Sequence, residues 1–185
     1  MINMVDDSIS EPLNDLNREE KLRWLMKTYG NDVIRIAYTY LKQQQLAEDV
    51  SQDVFVKCYE KMDSFRNESS YKTWLVSITV NRCKDVLKSW AFRNLYITDF
   101  FRSKQAYSTI EQSYFSNEED ELISKQVLAL PVKLREVIIL YYYQEFSIDE
   151  ISDLLGINPN TVKTRLHRGR LKLKELLGAW SVNAE

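Results

Sequence analysis

The sequence predicts an all-α fold: two small helical domains joined by a flexible linker. Three observations carry that prediction. Apolar residues recur at spacings of three and four through most of the chain, and no stretch alternates convincingly. Only 4 Gly and 3 Pro punctuate 185 residues, too few for a turn-rich β fold or for disorder, while a hydrophobic content of 44% supports real cores. Between residues 91 and 116 the helical period lapses, dividing the chain into 21–90 and 117–180, with an acidic extension over 1–20 and a tail over 181–185.

A formal net charge of −2 argues against nucleic acid only until the charges are mapped. Residues 1–20 carry six carboxylates against Arg18. Residues 82–104 carry six Lys and Arg against Asp85 and Asp99, and the stretch from Gly156 to Gly178 carries six against Glu175. Two basic islands in an acidic chain suit a protein that meets DNA at two places. The opening MINMVDDSISEPLND has neither a basic n-region nor an apolar h-region, so it does not read as a signal peptide. The longest unbroken apolar run, Val137 to Tyr143, is too short to cross a bilayer. Cys58 and Cys83 sit in helical apolar patterns without a CxxC partner, as buried reduced thiols of a cytoplasmic protein do.

In chain order, the first helix is expected from Glu19 to Leu41, with Leu22, Leu25, Tyr29, Val33, Ile36, Ala37 and Tyr40 on its buried side and a break near Gly30-Asn31. The second runs from Ala47 to Met62. Ala47, Val50, Val54, Cys58 and Met62 fall on one face, with Phe65 beyond, while Asp49, Asp53, Val56 and Glu60 fall opposite. An acidic face with an apolar residue at its middle suits docking to a basic protein partner: Val56 would be the desolvated centre and the carboxylates would set register. Asp63 to Ser70 is a polar loop. The third helix, Tyr71 to Trp90, is apolar on nearly every side except one seam of Ser77, Asn81, Lys84 and Lys88, a set suited to exposed bases and phosphates. Trp74 is expected in the core rather than against a base.

The linker holds seven aromatic residues among its 26, unusual for a tether, so it is expected to lie along a partner's groove or on its own domains. A helix from Glu118 to Leu130 follows, then Pro131 and VKLREVIILYYYQEF, whose Leu134, Val137, Ile138 and Tyr141 would support what comes next. Ser147 with Glu150 forms a capping box, Gly156 stops that helix, and Asn158-Pro159 starts another. Val162, Leu166 and Leu173 mark the inner side of this last helix. Lys163, Thr164, His167 and Arg168 lie outward, flanked by Arg165, Arg170 and Lys172. This describes a helix-turn-helix: the first four would point at base edges and the flanking cations at phosphates.

Three stretches in order resemble a known family, the bacterial extracytoplasmic-function (ECF, group IV) sigma factors of RNA polymerase. AEDVSQDVFVKCYEKMDSFR resembles the family's core-binding helix, SSYKTWLVSITVNRCKDVLK its promoter-melting and −10-reading helix, and LALPVKLREVIILYYYQEFSIDEISDLLGINPNTVKTRLHRGRLKLKELL its −35-binding domain. The resemblance implies a region 2 bundle over 21–90 and a region 4 helix-turn-helix over 117–180. It implies that Asp49, Gln52, Asp53, Val56 and Glu60 face the β′ clamp helices of core polymerase. Ser77, Asn81, Lys84 and Lys88 would face single-stranded DNA at the −10 element, with the loop from Phe65 through Arg66 and Asn67 capturing a flipped-out base. Thr161, Lys163, Thr164, Arg165, His167, Arg168 and Arg170 would meet the duplex −35 element. The linker would follow the RNA exit path and the second domain would sit on the β flap. An anti-sigma factor, often membrane-anchored, would sequester the chain and recruit it to the inner face of the membrane. In one place the sequence departs from the family: after Asp85, VLKSWAFRN offers only Lys88 and Arg93 where a dense basic run is common, so phosphate anchoring there would be weaker.

Two other readings explain less. A one-component helix-turn-helix regulator that binds duplex DNA as a dimer leaves the buried third helix, the aromatic linker and the acidic face unexplained. A metal-dependent nuclease would need Asp49, Asp53 and Glu60 together, yet their spacing spreads them along the helix, and the single histidine, His167, lies in a basic helix. No catalytic residue, metal, cofactor or small-molecule substrate is therefore expected.

Overall fold

The computed structural model describes residues 16–65, 69–94 and 118–183, which form seven α-helices and a 3₁₀ turn, with no strand among the described residues. α1 (Arg18–Leu41) starts at a capping box: Asn17 Oδ1 accepts from the Glu20 N–H at 3.0 Å and Glu20 Oε2 accepts from the Asn17 N–H at 3.0 Å. The break expected near Gly30 does not occur, and α1 runs straight through it. A helical glycine costs only about 1 kcal/mol. Leu25 before it, and Val33, Ile36 and Ala37 after it, are all buried on the same side, so packing outweighs that cost. Lys42 ends the helix in the left-handed region at φ 56°.

α2 (Gln44–Lys61) buries Ala47, Val50, Val54 and Cys58, the stripe read from the sequence, together with Phe55. Met62, also buried, begins the 3₁₀ turn Met62–Ser64. Ser70 caps α3 (Tyr71–Asn94), its Oγ accepting from the Thr73 N–H at 3.0 Å. α3 continues to Asn94, past the expected end at Trp90 and into the stretch read as linker. Leu75, Val76, Val80 and Cys83 are buried on it, and Thr79, fully buried, satisfies its hydroxyl on the Leu75 carbonyl at 2.7 Å. α1, α2 and α3 pack on one another as the first domain. Cys58 and Cys83 are free and buried, and burial pushes both thiols up to about 12.

The second domain is α4 (Glu118–Ala129), α5 (Val132–Tyr142), α6 (Ile148–Leu155) and α7 (Pro159–Asn183). α7 packs on α4, α5 and α6. Gly169 lets α7 approach α5 closely, since a Cβ there would lie 2.9 Å from Ile138 Cγ1, and Ile138 is itself buried. The two domains touch where α1 meets α5. The acidic extension up to residue 15, the loop residues Arg66 and Asn67, and the aromatic linker beyond Asn94 lie outside the described residues.

Candidate functional site

The helix-turn-helix is built by local chemistry. Ser147 Oγ accepts from the Glu150 N–H at 3.2 Å while Glu150 Oε2 accepts from the Ser147 N–H at 2.8 Å, which starts α6. Gly156 ends it at φ 65°, a conformation that strains any side chain. Ser152 Oγ then donates to the Ile157 carbonyl at 2.6 Å, closing the turn. Asn158 Oδ1 accepts from the Asn160 N–H at 2.8 Å, and α7 begins on Pro159. Val162 and Leu166 are buried and turn α7 so that Lys163, Thr164, His167 and Arg168 stand exposed in one patch. Thr161 is half-buried at its edge.

The cations flanking that patch are engaged. Arg165, half-buried, donates to Glu136 Oε1 at 2.9 Å. Arg170 Nε donates to Tyr142 Oη at 2.7 Å, with its guanidinium 5.6 Å from that ring's centroid. Lys172 pairs with Glu175 at 2.9 Å. An open apolar groove beside them is lined by Ile138, Tyr142, Leu173 and Leu177.

On α2, Asp49, Gln52, Val56 and Glu60 are exposed, Val56 by 57%, whereas the other two valines of that helix, Val50 and Val54, are buried. Asp53 differs from them. Its Oδ2 accepts from Arg82 Nη2 at 2.6 Å and Nε at 2.9 Å, so its charge is already matched within the chain. Sequence reading missed this pair, because Arg82 lies on α3 and only the packing of two helices brings it to Asp53.

Along the α3 seam, Asn81 and Lys88 are exposed, Ser77 is half-buried, and Lys84 lies 4.0 Å from Glu136 of the other domain. Phe65 stacks against Tyr71 and Trp74 at centroid distances of 4.6 and 4.7 Å. Trp74 is partly buried against the core, as read from the sequence. Glu136 was missed as well. A carboxylate inside the apolar run LREVIIL, next to another charged residue, was the available signal. Among the described residues no three His, Cys, Asp or Glu gather as a metal site, and no helix is long and apolar enough to cross a membrane.

Comparison with known proteins agrees with this geometry. Residues 25–92 match the model of sigma-70 region 2 and residues 120–173 that of sigma-70 region 4. The chain is 32% identical over 163 residues to the ECF RNA polymerase sigma factor SigW of Bacillus subtilis, covering 83% of this chain and 87% of that protein. The chain belongs to the ECF sigma factors. A second relative of this sigma factor, YlaC of Bacillus subtilis, is 28% identical over 86% of this chain and 94% of its own. Among solved structures it is similar to the sigma factor RpoE of Bartonella quintana in complex with the anti-sigma factor NepR, with a TM-score of 0.69 and 26% identity over 86% of this chain and 98% of that one. CnrH in complex with the cytosolic domain of CnrY shares the fold, with a TM-score of 0.64, 22% identity and coverage of 90% and 92%. The α1–α3 bundle is therefore region 2 of this sigma factor, and the α4–α7 domain is region 4.

Proposed function

We propose that this ECF sigma factor, of the group IV class, binds core RNA polymerase in the cytoplasm and directs it to promoters. The exposed face of α2 around Val56, with Asp49, Gln52 and Glu60, docks on the basic β′ clamp helices, and Asp53 contributes through the Arg82 pair it holds. The groove along α5 and α7 receives the β flap. Lys163, Thr164, His167 and Arg168 read base edges in the −35 major groove, with Thr161, Arg165 and Arg170 at the phosphates. Ser77, Asn81, Lys84 and Lys88 follow the single strand at the −10 element, and the loop of Phe65, Arg66 and Asn67 captures an unstacked base. An anti-sigma factor, anchored at the membrane, holds the protein inactive.

The observation that carries this reading is the separation of surfaces. An acidic face with an exposed valine and a one-signed basic face stand on different domains of a chain whose family is established. Melting follows if the bound state prefers the open strand, so captured bases and polymerase contacts supply the free energy and no nucleotide or metal is needed. The test is run-off transcription with purified core polymerase on a library of random promoters. Discrete start sites that depend on added protein are expected; none at any template, together with no retention of core in a pull-down, would end the reading.

A further inference from the structure

One carboxylate joins the two domains. Glu136, on α5 of region 4 and only 6% exposed, accepts from Tyr40 Oη of α1 at 3.0 Å and from Arg165 Nη1 of α7 at 2.9 Å, and lies 4.0 Å from Lys84 Nζ of α3. Two of these three partners are cations assigned above to DNA, one from each half of the promoter. Lys72 of α3 reinforces the junction by donating to the Gln144 carbonyl at 2.9 Å, with Phe146 5.7 Å beneath its ammonium.

Other groups near the junction are less well matched. Arg135, next to Glu136 and almost fully buried, donates to the Leu128 carbonyl at 2.5 Å, and burial brings its pKa down to about 10. Burial, and then the positive charge of that same guanidinium, lowers the pKa of Lys42 at the end of α1. Gln144 Oε1 is buried with no hydrogen-bond partner. A junction with an orphaned acceptor beside it leans on its few polar anchors, of which Glu136 holds the most partners.

We infer that Glu136 is an internal stand-in for promoter phosphate: through Tyr40 and Lys84 it latches region 4 onto region 2, and within region 4 it occupies Arg165, so the closed chain cannot use either cation on DNA. A carboxylate and a phosphate oxygen compete for the same donors, so opening the domains frees Lys84 for the promoter, whereas Arg165, held inside region 4, is freed only when a phosphate displaces Glu136. This rests on the assignment of Lys84 and Arg165 to DNA.

The test uses the full chain with spin labels at Lys27→Cys and Asp149→Cys, both exposed, which report the distance between the domains. Two variants are compared with the parent: Glu136→Gln, which weakens every arm of the latch, and Tyr40→Phe, which removes only a bond between domains. Both should lengthen and broaden the distance. With a short mixed-sequence duplex and an oligothymidine strand as probes, Glu136→Gln should raise the free chain's affinity for both by about tenfold. Tyr40→Phe should favour the oligothymidine strand, because Lys84 is released while Arg165 keeps its partner, and its core-dependent transcription should match the parent. If Glu136→Gln fails to fold, Tyr40→Phe decides. An unaltered distance in the folded variants overturns the latch, and separation without any gain in DNA affinity overturns the masking. Failure of the parent chain to start RNA with core would instead remove the promoter assignment, a result read in a separate assay.

Discussion

Replacing Val56 with Asp tests the docking face at its centre. Burying a valine completely contributes about 1.5–3 kcal/mol. Val56 is 57% exposed, so roughly 1–2 kcal/mol of that is still to be gained when a partner covers it. Asp forfeits this gain and adds a carboxylate that must be desolvated without a matched partner, a further cost of about 1–3 kcal/mol. The two together raise the Kd for core polymerase by roughly 30-fold to several thousand-fold. Val56→Ala, which removes two methyl groups and adds no charge, should weaken binding by about tenfold at most. The assay is fluorescence anisotropy of the labelled chain titrated with core. Val and Asp have similar helix propensity and the site is open, so thermal unfolding should be nearly unmoved. A parental Kd for Val56→Asp with an unchanged melting curve would refute the assignment of this face. Asp53 is the poorer place to ask, because Asp53→Arg would set two guanidiniums together at Arg82 and disturb the α2–α3 packing before any partner arrived.

Lys163→Ala and Arg168→Ala should each cut run-off transcription at least tenfold while leaving the Kd for core unchanged, since both side chains are exposed on α7; equal loss of both activities would count against base reading. Ser147→Ala removes one half of the capping box of α6 and should lower the urea unfolding free energy by about 1 kcal/mol, with region 4 losing protection in hydrogen exchange first. The folded pKa values of Cys58 and Cys83 lie near 12, above the ordinary thiol value of 9.0, so the folded chain binds these protons more tightly than the unfolded one. Their contribution is fully present below the unfolded value and is lost as pH rises from about 9 towards 12, so denaturation curves should shift to lower urea across that window. Both thiols should also resist a thiol reagent until the chain unfolds.

The sequence revealed most of what is periodic or local. The α2 stripe, the Ser147–Glu150 box, the Gly156 stop and Val162 and Leu166 on α7 are written in spacings of three and four, and the structure buries or caps them as those spacings require, while Leu173 is only partly buried. Gly30 shows where local reasoning fails, since its small propensity cost cannot be weighed until the residues packed on either side are known. The same limit hid the contacts between helices. Arg82 on Asp53, Tyr142 under Arg170 and Ile138 against Gly169 join residues 28 to 31 positions apart, and no helical wheel brings them together. Glu136 lay still further out of reach, because Tyr40 is 96 residues away in another domain.

One consequence joins these findings. Phosphate contacts supply the sequence-independent part of DNA affinity, while base-edge contacts supply the choice of site. On α7 the two sets are treated differently: Lys163, His167 and Arg168 make no ion pair among the described residues, whereas Arg165, Arg170 and Lys172 are each held by Glu136, Tyr142 and Glu175. These three holds are unequal. The Lys172–Glu175 pair is exposed and is worth little. Glu136, the carboxylate that holds Arg165, is buried, and Arg165 cannot leave it without stranding that charge. On the proposed assignment such a chain would keep its readers open and its strongest anchor occupied, which would suppress binding to arbitrary duplex more than binding to a matched promoter presented by polymerase. The net charge of −2 hides six Lys and Arg against one Glu between Gly156 and Gly178, so attraction to DNA is local to α7 and the tying of individual cations there would tune it.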